Sequence, residues 1–106
     1  MVNERRQYPR CEVSIDGRWL GESGGTTCQV ANISLGGCFV RTSAPSVEGL
    51  GALRLIFGHT PPLTLAGRIV HAERGRGFGV KFQDVSADVR AELEERLEEL
   101  KAALVA

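Results

Sequence analysis

The 106-residue chain is poor in aromatics, histidine and methionine, and it holds no long apolar run. Six aromatic residues (one Trp, one Tyr, four Phe) are too few for a platform that stacks successive bases of a long single strand. No apolar stretch approaches the roughly 18 residues needed to span a bilayer. Glu4, Arg5 and Arg6 are followed by no hydrophobic stretch, so nothing resembles a signal peptide, and the expected location is the cytoplasm without membrane insertion. The three cysteines, Cys11, Cys28 and Cys38, show no Cys-x-x-Cys spacing, and with His59 and His71 they match no metal template. They are expected to be reduced, small, apolar strand residues, with no metal or cofactor. The histidines lie far apart and no local spacing suggests a nucleophile–base or carboxylate pair, so an enzyme is not expected. His71 and Glu73, two apart on a strand, read as a surface pair.

The net charge is zero, but it is unevenly spread. Between Asp84 and Lys101 stand seven acidic and three basic residues, a balance of −4, so the remainder carries +4. A basic body with an acidic C-terminal segment suits a small anionic ligand. A long nucleic acid would be repelled by that segment, so no nucleic-acid polymer is expected as partner.

The length suits one domain, 1–106, with an N-terminal arm over 1–10, a β-barrel over 11–83 and a helix over 86–104. Cys11 to Ile15 reads as a strand, Asp16-Gly17 as a hairpin turn, and Arg18-Trp19-Leu20 as the start of the returning strand. Glu22 to Gly25 is a second turn, and Thr26 to Ser34 and Cys38 to Arg41 are strands separated by Gly36-Gly37. After a loop over Thr42–Gly49 come strands at Gly51–Phe57, Leu63–Glu73 and Phe78–Phe82, the last alternating Phe78, Val80 and Phe82 with Gly79 and Lys81. The period then changes. Val89, Leu93, Leu97, Leu100 and Leu104 are spaced 4, 4, 3 and 4, one apolar stripe on a helix, with Ser86 as the expected N-cap. Six or seven short strands with turns between them suggest a small all-β barrel. The helix covers this barrel or docks on a partner.

Two stretches carry the functional reading. Arg5-Arg6-Gln7-Tyr8-Pro9-Arg10 packs three guanidinium groups into six residues, and Pro9 biases Tyr8 toward an extended conformation. Arginine is suited to bidentate contact with phosphate oxygens and with the O6/N7 edge of guanine. Taken alone, the segment also reads as a solvated basic terminus. In Asn32-Ile33-Ser34-Leu35-Gly36-Gly37, Asn32 and Ser34 share a strand face, and Gly36-Gly37 exposes backbone N–H groups. An amide, a hydroxyl and bare backbone on one face serve a base's hydrogen-bonding edge. The competing reading is a turn that ends the strand.

Together these stretches resemble the PilZ family, the cyclic di-GMP receptor domain of bacteria. Arg6-Gln7-Tyr8-Pro9-Arg10 is similar to the family's R-x-x-x-R arm. Asn32 through Gly37 is similar to its [D/N]-x-S-x-x-G motif, and Gly77-Phe78-Gly79-Val80-Lys81-Phe82 to its closing strand. The resemblance implies a six-stranded antiparallel β-barrel with a C-terminal α-helix and a ligand, cyclic di-GMP, lying across the barrel surface under the arm. It implies that Arg6 and Arg10 grip guanine edges and phosphates, and that Asn32, Ser34 and Gly37 receive a guanine, with the bare backbone of Gly36 also expected at the ligand. Arg5 stands where the family's residue is linked to binding one ligand or a stacked pair, and an arginine there is expected to favour the pair. Asn32 offers one acceptor and one donor group where Asp would offer two acceptors to guanine, so somewhat weaker binding is expected. Arg41, Arg68, Arg74 and Arg76 read as solvated surface adding positive field. The expected function is a sensor relaying to an unidentified protein effector, as monomer or homodimer. The alternative is an adaptor of the same fold that binds no nucleotide.

Overall fold

The computed structural model describes residues 11–21, 24–42, 49–58 and 60–105. Six strands, β1 (Cys11–Gly21), β2 (Gly24–Ile33), β3 (Gly37–Arg41), β4 (Leu50–Ile56), β5 (Leu63–Glu73) and β6 (Gly77–Phe82), precede one helix, α1 (Ala87–Val105). The strands form a closed antiparallel barrel in the order β1-β2-β3-β6-β5-β4. The fold is thus the all-β barrel with a C-terminal helix that the resemblance implies.

Alternation builds the barrel. Ile15, Trp19, Val30, Val40, Leu53, Leu55, Leu65, Ile69, Phe78 and Val80 are buried, while intervening residues such as Asp16, Arg18, Arg54, Arg68 and Lys81 face solvent. Trp19 and Phe78 meet edge to face across the core, ring centroids 5.5 Å apart at 67°, a geometry that adds about 1 kcal/mol to the area each buries. Cys28 and Cys38 are buried and not joined in a disulfide, as expected of small strand residues.

One local expectation is overturned. Asp16-Gly17 is not a turn: β1 runs through it, with Asp16 opposite Gln29 of β2 and Ile56 of β4, and Gly17 opposite Cys28 and Leu55. Ladder bonds on both sides outweigh the local turn propensity. Gly17 is also packed between its neighbours, since a Cβ there would lie 3.1 Å from the Arg54 carbonyl oxygen and 3.6 Å from the Cys28 sulfur. The reversal comes instead where Gly21 pairs with Gly24.

The helix begins as expected. The Val89 N–H donates to the Ser86 hydroxyl (3.2 Å), which satisfies one of the donors that a helix start leaves without a partner. Leu93 and Leu97 are buried in the barrel core, with Val89 and Leu100 packed against it, so the stripe covers its own barrel. Arg96, on the same helix, is buried as well, bonded to Glu92 and to the Thr60 hydroxyl in the connection between β4 and β5.

Candidate functional site

The outer wall made by β2, β3, β6 and β5 holds an open cleft of about 570 Å³, a volume in the range of small-molecule sites. Its shape depends on two β-bulges. Val30 pairs with Val40 and Asn32 with Phe39, so Ala31 is an extra residue in β2 against β3. Without it, the alternation of Cys28 and Val30 would carry Asn32 inward. With it, Ile33 enters the core and Asn32 turns to the cleft. On β5, Ile69 pairs with Val80 and His71 with Gly79, so Val70 is extra there. Ile69 stays in the core and His71 comes to the outer face.

The two bulges bring four residues into one row across four strands. Asn32 pairs with Phe39, Phe39 with Gly79, and Gly79 with His71. Gly79 contributes no side chain, so the floor between Phe39 and His71 is bare backbone. Gly37 does the same one row away, opposite Lys81. At Gly37 the bareness is obligatory, because a Cβ would stand 2.3 Å from the Val80 carbonyl oxygen. At Gly79 a Cβ would meet its nearest neighbour, the His71 Cβ, at 3.7 Å, so the space there is open rather than forced.

Ser34 occupies a different position from the one alternation assigns it. β2 ends at Ile33, and Ser34 opens the turn into β3. Its N–H donates to the Gly37 carbonyl (2.8 Å), its hydroxyl accepts from the Gly36 N–H (3.2 Å) and donates to the Gly37 carbonyl (3.3 Å). Ser34 is buried and is not part of the cleft lining, so it does not share an open face with Asn32. It fixes the turn that presents Gly36 and Gly37, which do line the cleft with Asn32. The Phe82 N–H, donating to the Gly36 carbonyl at 3.0 Å, ties that turn to the end of β6. Arg5, Arg6 and Arg10 lie outside the described residues.

The far side of the cleft comes from the β5–β6 hairpin. Glu73 accepts on both carboxylate oxygens, from His71 Nε2 at 3.1 Å and from Arg76 Nη1 at 3.0 Å. Lys81 also lines the cleft and makes no ion pair among the described residues. The spacing of His71 and Glu73 gave their shared face. Nothing local separated Arg76, which lines the cleft, from Arg41, Arg68 and Arg74, which do not. Phe39 and Gly79 also went unassigned as site residues. The regular alternation of β6 signals an outward Gly79, but only the pairing shows that it adjoins Phe39.

The fold defines a closed six-stranded antiparallel barrel with a packed C-terminal helix and a cleft on its outer wall. The PilZ domain model matches residues 4–99, and the chain belongs to the PilZ domain family. Its fold is similar to that of YcgR from Escherichia coli, solved in complex with c-di-GMP (TM-score 0.81, 14% identity, 95% of this chain and 48% of that one). It is also similar to K. pneumonia MrkH in its c-di-GMP complex (TM-score 0.75, 19% identity, 97% and 55%). A third similar structure is the PilZ domain of CeSA from a cellulose-synthesizing bacterium (TM-score 0.69, 22% identity, 88% and 98%). The chain spans about half the length of the first two. Comparison with curated proteins finds no match.

Proposed function

We propose that this PilZ domain is a cyclic di-GMP sensor whose N-terminal arm, through Arg5, Arg6 and Arg10, closes over the cleft at Asn32, Gly36 and Gly37. Ser34 holds the turn from behind. The ligand shifts the arm from an open to a closed population, because only the closed form gives its arginines phosphates and guanine edges to bind. The change is read by a protein partner, and no reaction is catalysed.

One relationship carries this reading. β1 begins at Cys11, which pairs with Ile33, and Glu12 pairs with Asn32. Arg10 is joined directly to Cys11, about 3.8 Å away between Cα atoms. The arm's point of attachment, Cys11, therefore lies beside the strand end that supplies Asn32 and the Ser34–Gly37 turn. YcgR and MrkH were each solved with c-di-GMP on the same fold.

The test is calorimetric titration of the whole chain with cyclic di-GMP, beside Arg6→Ala and Arg10→Ala. Saturable binding is expected in the unmodified chain, with loss or severe weakening in both variants. Its stoichiometry reports whether Arg5 accompanies one ligand or a stacked pair. Neither heat nor a ligand-induced thermal shift from the unmodified chain would sink the sensor reading in favour of the adaptor.

A further inference from the structure

The β5–β6 hairpin presents a cation and an imidazole to the cleft from the side opposite Asn32. We infer that it is a second ligand wall: Arg76 takes a phosphate of the cyclic dinucleotide, and His71 takes a donor edge of a base lying over Gly79. The inference rests on the nucleotide reading above and adds contacts beyond the arm and the Asn32–Gly37 stretch.

Arg76 is built into its position at both backbone groups. Its N–H donates to the Glu73 carbonyl (3.0 Å), and its own carbonyl accepts from the Thr42 N–H (3.1 Å). Its Nη1 is held by Glu73 Oε1, while the side chain remains 76% exposed. A guanidinium has five N–H donors in a fixed fork. The bond to Glu73 orients the fork and leaves most of its donors for an anion.

His71 is held in the same way. Nε2 faces Glu73 Oε2 at 3.1 Å, so in the neutral ring the proton sits on Nε2 and Nδ1 is an acceptor. Nδ1 has no partner among the described residues. Guanine carries adjacent N1–H and N2–H donors, which an acceptor of this kind suits. Glu73 has both oxygens occupied, so it positions Arg76 and His71 rather than receiving the ligand. Gly79 lies between His71 and Phe39 in the row. With no side chain at Gly79, a planar base has room beside the Phe39 ring.

Arg74 is the internal control. It lies two residues from Arg76 on the same hairpin, is exposed, and does not line the cleft. The experiment titrates cyclic di-GMP into the whole chain and into Arg76→Ala, His71→Ala, Gly79→Val and Arg74→Ala, with the ligand-free thermal midpoint of each. Arg76→Ala should weaken binding about tenfold or more, as loss of a charge-assisted contact does. His71→Ala should weaken it about fivefold, the loss of one neutral hydrogen bond. Gly79→Val should abolish binding with little change in the midpoint. Arg74→Ala should stay within about twofold of the unmodified chain, as a distant screened charge does.

If the unmodified chain binds and Arg76→Ala binds equally well, the second wall is refuted and the sensor reading stands. Equal losses in Arg74→Ala and Arg76→Ala would replace the wall with diffuse charge and refute it too. Absence of binding by the unmodified chain would overturn both readings together.

Discussion

The guanidinium of Arg96 lies over the ring of Phe57, its central carbon 5.1 Å from the ring centroid. The same group bonds Glu92 one helical turn back (Nε to Oε2, 2.8 Å) and the Thr60 hydroxyl. Arg96 therefore clamps α1 to the segment that follows β4, although most other charges of that helix are exposed. Burying a charge is tolerable here because acceptors and an aromatic face replace its water.

Arg96→Ala should lower unfolding stability by about 2 kcal/mol, from loss of the ring contact, the hydrogen bonds and the packed stem. Urea denaturation measures it. Arg96→Met, which keeps the stem and removes the charge, should recover part of the loss. In the cyclic di-GMP titration proposed above both variants should match the unmodified chain, because Arg96 is not part of the cleft lining. A matching loss of affinity would show that the clamp and the cleft are coupled.

Leu93→Ala should be more costly. Leu93 is fully buried at the base of the helix stripe, and truncating such a leucine removes about 2–5 kcal/mol. Against a total of about 5–15 kcal/mol for a domain of this size, the helix should loosen measurably. Hydrogen exchange along α1 would report it, and unchanged protection would contradict the packing described above.

Gly77 and Gly79 should separate folding from binding. Gly77 has φ 149°, and a Cβ there would lie 1.9 Å from the Val40 carbonyl oxygen. Gly77→Ala should cost about 2 kcal/mol or more, by strain and by parting β3 from β6. Gly79→Ala, whose Cβ makes only ordinary contacts, should cost under about 1 kcal/mol. Paired thermal melts decide it: similar midpoints would remove the distinction.

Burial pushes the Cys28 thiol up to about 11 from its ordinary 9.0, partly offset by a hydrogen bond from the Trp19 backbone. The unfolded chain therefore releases this proton at a lower pH than the folded one. The resulting contribution to stability is complete below pH 9, falls as pH rises from 9 toward 11, and is gone above that. Denaturation midpoints across this window should slope downward, and Cys28→Ala should flatten part of the slope. Native Cys28 should also resist thiol reagents at pH 8, since the thiolate is the reactive form.

The helix was legible because its period is long and regular: Val89, Leu93, Leu97 and Leu100 repeat one face over several turns. Strand β6 was legible for the same reason at period two. Asp16-Gly17 misled because the dipeptide favours a turn wherever it is not paired, and pairing on both sides of β1 is set by residues 11 to 40 positions away. Asn32 was assigned to the site, yet its outward orientation rests on the bulge at Ala31, which has no side-chain signature. The hairpin wall was read only as surface because its place beside Phe39 and Gly79 follows from the pairing of β5, β6 and β3, which no local pattern shows. Ser34 was assigned to the site, but its bonds close the turn after β2, the competing reading of that stretch. Arg96 read as one more helix charge because Phe57 and Thr60, its partners, are distant in sequence.

The strands close on one another, β4 meeting β1, and this limits the language in which the domain can address another molecule. A sheet with a free margin can recruit an extended peptide through its backbone, almost regardless of sequence. A sealed cylinder has no such margin to offer. A protein docking on the described strands and helix would have to recognise side chains on the wall or helix. Specificity for such a protein would be written in individual residues, and single surface substitutions would redirect it without disturbing the hydrogen-bonded frame beneath.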